Sequence, residues 1–463
     1  MNFLSLFVLL PLLMILALFV ARSRKQILGI MVAGSTLLVA LAGFLAFQYI
    51  AVRNSGITDP MLFTASLSWF KPLHIQYAMG VDGVSVVMLC LSSLIVFTGT
   101  FVSWKIAPLT KEFFLWYCLL ATGVFGFFIS LDLFTLFLFY ETALIPMYLL
   151  IGVWGSGRKS HAAMKLTLML MGSSMILLVG ILGIYFGSGA TSMHISELAQ
   201  RTMPMEQQYF FFTLTFFGFG VLGALFPFHT WSPDGHASAP TAEKLSPIFL
   251  VLTAIGVVYG AMAAIRQTDL KYINAYSSVS HCNLVLFAIL MLTQTSLTGA
   301  VLQMLSHGLI TALFFALIGM IYGRTHTRLI TDMGGLMKIM PFLGVSFVIA
   351  GFSNIGVPGF SGFVAEMTIF VGSFENGDLF RRILTVAAVT SIVIGAVYIL
   401  RSIGKFLQGP LQNEEHGKLD DARWFERLAV VTLIAGILYL GSFPTGIAEI
   451  ISNSFSSMLQ VAK

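Results

Sequence analysis

About thirteen apolar runs, each near the roughly 20 residues that a membrane helix needs, leave this chain few ways to fold. In lipid no water can satisfy the backbone, so each run must close its own hydrogen bonds as a helix. Of the 463 residues, 57% are hydrophobic and only 10% charged, with a mean hydropathy of +0.91. A soluble domain carries about 25% charged residues, so a soluble enzyme is excluded. The expected fold is all-α: a polytopic integral membrane bundle forming one domain over residues 1–463.

The net charge of +5 comes without a basic block. Lys and Arg stand singly at the ends of apolar runs, where they set topology, and no nucleic-acid partner is expected. Cys90, Cys118 and Cys282 lie inside apolar runs, with neither CxxC nor Cys/His spacing, and read as small core residues. The run Phe3–Val20 lacks a basic n-region and is followed by Arg22-Ser23-Arg24-Lys25, so it reads as a first span rather than a signal peptide.

The expected spans are Phe3–Val20, Ile27–Ile50, Val84–Trp104, Phe113–Ser130, Leu133–Val153, Met164–Phe186, Tyr209–Trp231, Ser246–Ile265, Ile273–Leu292, Thr298–Tyr322, Pro341–Phe374, Ile383–Leu400 and Leu428–Leu440. Residues 51–83 are wetter, with Pro60, Trp69, Lys71 and Pro72, and are expected to fold against one membrane face. Two spans are broken. One opens into Pro227-Phe228-His229-Thr230-Trp231-Ser232-Pro233-Asp234-Gly235-His236, the other at Gly356-Val357-Pro358-Gly359. Proline removes a donor and clashes with the preceding turn, and glycine loosens the backbone beside it. Such breaks survive in a membrane only where protein or water satisfies the freed groups, and paired breaks point to an ion path.

Cation placement tests the topology. With Arg22, Arg24 and Lys25 inside, alternation also places Lys105, Lys111, Arg158, Lys159 and Lys244 inside, and the cation-free loop at Leu131–Asp132 outside. Past Lys244 the parity fails, sending Arg266, Lys271, Arg324, Arg328 and Lys338 outside. One further crossing between Ala242 and Ser246 would repair every loop, yet only Glu243, Lys244 and Leu245 lie there. Either Tyr209–Ala242 returns as a hairpin or a helix is absent.

The candidate chemistry is titratable. Glu141 sits near the centre of a span, where a carboxylate costs at least a few kcal/mol and is a functional candidate by default. Lys165, at the start of the next span, either neutralises Glu141 or snorkels to the membrane face. His229, His236, His281 and His307 fall in one half with Glu366, which lies beyond the second break, and together they suggest a proton relay. Asp132 reads as an interfacial cap, and Asp269 beside Lys271 as a surface salt bridge. No phosphate loop, GxSxG, CxxC or haem motif occurs, so no redox centre, metal site or covalent catalyst is expected in this chain.

The residues from Pro227 to His236 with Ala239-Pro240-Thr241-Ala242 resemble the signature of the antiporter-like subunits of respiratory complex I, the NADH-quinone oxidoreductase. Arg266-Gln267-Thr268-Asp269-Leu270-Lys271, Ala275 to His281, Asp332-Met333-Gly334-Gly335-Leu336 and Gly359 to Phe374 resemble it too. The resemblance implies a fold usually of fourteen helices with two inverted five-helix repeats, here about residues 113–245 and 246–405. It implies protons passed along buried charges, Glu141 matching a glutamate that pairs with a lysine, His307 a bridging histidine and Glu366 a terminal channel glutamate. It places flavin, iron–sulfur clusters and quinone on partner subunits, and makes other membrane subunits of a bacterial-type inner membrane the partners.

Two departures stand out. Leu222 holds the place of the family's lysine before the Pro-Phe-His-Thr-Trp motif. After Ala242, where the family continues through a full helix with a central lysine, the chain passes directly to Glu243. The first repeat is thus expected to lack one helix, leaving about thirteen in all. The function expected is proton translocation in a redox-driven quinone oxidoreductase. A subunit of a multisubunit sodium/proton antiporter is the alternative, and a partly inactive scaffold a third reading.

Overall fold

The computed structural model describes residues 2–155, 158–225, 242–375 and 378–461. Within them, eleven helices are long and apolar enough to cross a membrane. The all-α membrane architecture is as expected. The described residues form two compact units, the first reaching Leu222 and the second running from Glu243 onward together with residues 223–225.

The first unit contains α1 (Leu6–Val20), α2 (Arg24–Asn54), α3 (Gly83–Val102), α4 (Thr110–Ile129), α5 (Leu133–Trp154), α6 (Lys159–Ser188), the short α7 (Ile195–Ala199) and α8 (Met205–Leu222). Several starts have a local cause. Ser23 and Gln26 form a capping box for α2, Asp82 caps α3 and Asp132 caps α5. Between lipid-soluble helices hydrophobicity gives no preference for contact, so small residues that admit close packing decide it. Gly126 receives the ring of Phe139, and Gly123 faces the backbone of Phe139 and Ala143, which seats α4 against α5.

The wetter segment holds a feature that its sequence did not announce. Leu62–Phe70 (β1) and Ile75–Val81 (β2) pair antiparallel as a hairpin. It lies at the Asp132 end of the unit, where the Leu131 amide donates to Ala78 O and the Gln76 amide to the Asp132 carboxylate. Several cations collect at the other end. Arg24 donates to Trp104 O, Lys111 to Phe19 O and Ala21 O, and Lys159 to Val153 O.

The second unit contains α9 (Ala242–Arg266), α10 (Leu270–Leu290), α11 (Gln294–Thr325), α12 (Pro341–Ile355), α13 (Ser361–Glu375), α14 (Leu379–Phe406), α15 (Trp424–Ser442) and α16 (Thr445–Val461). The last of these is not among the expected spans. The single long run expected over Pro341–Phe374 is two helices. α12 ends where the Val357 amide returns to Phe352 O and the Gly356 amide to Ser353 O, with Gly356 at φ +79°. These paired bonds satisfy the freed carbonyls of the break. A Cβ at Gly362 would collide with the Ser353 carbonyl, so only glycine lets α13 begin this close to the end of α12.

Arg266, Lys271, Arg324, Arg328 and Lys338 all sit at one end of this unit, since α9 and α11 end there and α10 and α12 begin there. Asp269 caps α10 through the Lys271 amide and pairs with Arg328 at 3.0 Å. Asp269 thus also pairs with a residue almost sixty positions away.

Candidate functional site

α10 presents Asn274, Ser277, Ser278 and His281 at spacings of three and four, one polar stripe on an apolar helix. α11 offers Gln303, Ser306 and His307, and α13 offers Ser361 and Glu366. The stripes meet at the break. Glu366, 5% exposed, places Oε1 3.6 Å from His281 Nδ1. The rings of His281 and His307 lie 5.1 Å apart at 32°, and the Thr311 hydroxyl is 3.3 Å from the His307 nitrogens. Ser306 and Ser361 share a hydrogen bond of 2.7 Å that ties α11 to the start of α13.

The break shapes the carboxylate's position. A Cβ at Gly356 would stand 2.7 Å from Glu366 Oε2, so the glycine that ends α12 also makes room for the acid. Pro358, expected to mark the break, lies in the turn between the two helices. A buried carboxylate beside an imidazole can exchange one proton, the pair being either neutral or an ion pair. Gln303 Nε2 lies 2.9 Å from His281 Nδ1, and Gln303 Oε1 is buried without a partner among the described residues. Turning that amide over would offer His281 an acceptor in place of a donor, so the same ring nitrogen can be served in both protonation states.

Of the residues singled out from the sequence, His281, His307 and Glu366 come together. Glu141 lies in the first unit, on α5, where its Oε1 is buried with no hydrogen-bond partner among the described residues. Pro146 in the same helix lacks the amide that would bond to Thr142 O, which leaves a further acceptor one residue from Glu141. Lys165, half-buried on α6, forms no ion pair with Glu141 among the described residues, so the neutralising alternative is not made there. Pro227, His229 and His236 lie outside the described residues. Asp132 is a cap, as expected, accepting from the Phe134 and Thr135 amides.

Sequence reasoning missed Asn354 on α12 and Tyr398 on α14. Asn354 donates to Ser277 Oγ at 3.2 Å and to Tyr398 Oη at 3.2 Å, and Tyr398 donates to Ser277 Oγ at 2.8 Å. A lone amide or phenol in an apolar run carries no spacing signal. The stripe on α10 was the available clue.

The family described as NADH:quinone oxidoreductase/Mrp antiporter, TM, matches residues 130–245 and 241–395. The chain belongs to this family. NADH-quinone oxidoreductase subunit M of Rickettsia felis is 30% identical over 491 aligned residues, covering 98% of each chain. That alignment is longer than the 463-residue chain and so opens gaps within it. Among solved structures, a chain of respiratory complex I from Thermus thermophilus superimposes with a TM-score of 0.88 at 22% identity, covering 99% of this chain and 100% of that one. A chain of the Mrp complex from Dietzia gives 0.76 at 18% identity, with both chains fully covered. The family's membrane fold is thus shared, and the Glu366 cluster is the candidate site of this member. These residues contain no group of three His, Cys, Asp or Glu able to hold a metal ion.

Proposed function

We propose that this chain is the proton-translocating membrane subunit of a redox-driven quinone oxidoreductase of the complex I type. The observation that carries it is the contact of Glu366 with His281 at 3.6 Å beside a broken helix, inside an apolar bundle. Membrane-buried ionisable residues are expensive and are retained where they move charge. Here a proton added to Glu366 or His281 is held by groups that can accept or donate it in turn, with His307 as the next station.

The electron-transfer chemistry, with NADH or another donor, flavin, iron–sulfur clusters and quinone, belongs in this reading to partner subunits. The home is a bacterial-type inner membrane, beside homologous antiporter-like subunits. The two repeats are residues 113–245 and 246–405, with one helix missing after Ala242. Support for that deletion comes from the family match, whose two segments meet at residues 241–245.

Replacing Glu366 by Gln keeps shape and hydrogen bonding but removes the proton site. In the complex reconstituted into liposomes, Glu366→Gln should abolish proton uptake while assembly and electron transfer to quinone persist. An unchanged proton-to-electron ratio would sink the proposal. Similarity to the Mrp complex chain supports a second reading, a subunit of a sodium/proton antiporter. Co-purification with quinone-reducing subunits favours the first reading, and sodium-dependent exchange without them favours the second.

A further inference from the structure

Below the Glu366 cluster, toward the cation-rich end of the second unit, the polar surroundings continue. Ser277 lies one helical turn before His281 on α10, and Asn274 one turn before Ser277. Tyr398, 2% exposed, reaches Ser277 from α14. Beyond them is a cavity of about 10 Å³ lined by Leu270, Asn274, Ser277, Phe347, Tyr398 and Ser402 among others. That is about the room one water needs. Asn274 Nδ2 is buried there without a hydrogen-bond partner among the described residues. An amide left without a partner in an apolar bundle is costly, and a water in the cavity would offset that cost. Leu270, also on the cavity wall, is the first residue of α10, at the end where Arg266, Lys271, Arg324, Arg328 and Lys338 gather.

We propose that Tyr398 and Ser277, continued by one water beside Asn274, form the proton's passage between the Glu366–His281 pair and the cation-rich end of this unit. The passage rests on the proposed translocation by that pair and gives it an access route. A proton taken up at the open end by the cavity water displaces one to the Tyr398 hydroxyl. Tyr398 passes its own proton to Ser277, Ser277 to His281, and His281 to the Glu366 carboxylate, so each hydroxyl ends as it began. Asn354, bonded to Ser277 and Tyr398, does not relay. It is a positioning residue that holds the two hydroxyls in reach of each other. Hydroxyl chains of this kind conduct only when unbroken, so the loss of either hydroxyl has the same consequence.

The test uses the intact complex in liposomes with an internal pH dye. Tyr398→Phe and Ser277→Ala should each lower proton uptake at least tenfold with subunit content unchanged, and the double variant should be no worse than the slower single one. Ser277→Thr restores the hydroxyl and should restore uptake, and Ser373→Ala at the opposite end should be unaffected. Full uptake by Tyr398→Phe or by Ser277→Ala, or losses that multiply in the double variant, overturns the route. If Tyr398→Phe fails to assemble, the Ser277→Ala and Ser277→Thr pair decides alone. Glu366→Gln is measured alongside: uptake lost there but kept in the hydroxyl variants removes the route and leaves the parent reading, whereas uptake kept in Glu366→Gln removes the parent reading itself.

Discussion

Gly356 shows how much a single residue carries. Its φ of +79° closes α12, and its missing Cβ leaves room for Glu366 Oε2. A residue with a Cβ in left-handed backbone costs about 1–2 kcal/mol. Gly356→Ala should therefore destabilise the subunit by that amount and also push the carboxylate off His281. Thermal denaturation of the complex and proton uptake should fall together. If uptake stays normal, the carboxylate position is not set by the glycine.

Glu197 makes a residue-scale prediction outside the membrane helices. Hydrogen bonds from the Ser192 hydroxyl first, then from the Thr191 amide and hydroxyl, with Arg201 last, hold its carboxyl down to about 2 from an ordinary value of 4.5. The folded value lies below the unfolded one, so this cap contributes stability above about pH 4.5 and loses it as pH falls through about 2. The Thr191 amide, which donates to Glu197 Oε1 at 2.7 Å, should lose hydrogen-exchange protection across that window. Glu197→Gln should show the same loss at neutral pH.

At the scale of elements, α12 is held at both ends by groups from elsewhere in its unit. Its first amides, Phe342 and Leu343, donate to the carboxylate of Asp421, and Arg324 donates to the Asp420 and Asp421 carbonyls and pairs with Glu426 at 2.6 Å. Asp421→Ala removes a cap worth about 1 kcal/mol. It should lower the melting temperature of the subunit while leaving the proton-to-electron ratio unchanged, because the polar cluster lies at the other end of the helix. A changed ratio would mean that the capped end also takes part in coupling. The break itself was visible in Gly356-Val357-Pro358-Gly359, since no unbroken helix tolerates that run. The hairpin at 62–81 was not, because Leu62–Phe70 lacks a tight-turn dipeptide and turns instead through Lys71-Pro72-Leu73-His74.

At the scale of the whole molecule, the two units carry unequal sites. Glu366 has His281, Gln303 and His307 around it, whereas Glu141 has an unpaired oxygen among the described residues, with Leu222 where relatives are expected to carry a lysine. Glu141→Gln should then retain a large share of proton uptake and Glu366→Gln none, read in the same liposomes. Equal losses would show that both half-sites conduct.

Much of this protein was settled by its linear chemistry. Apolar length decided that the chain folds as a bundle of membrane helices, cations marked which helix ends gather together within each unit, and Pro358 with its glycines decided where a helix must stop. The meeting of Glu366 with His281 and His307, and of Asn354 with Tyr398, was decided only by packing. Periodicity reveals which face of one helix is polar, but not which neighbour that face will meet. In a bilayer that choice is made by close contacts of small residues across helices far apart in sequence, and those contacts exist only once the bundle has formed.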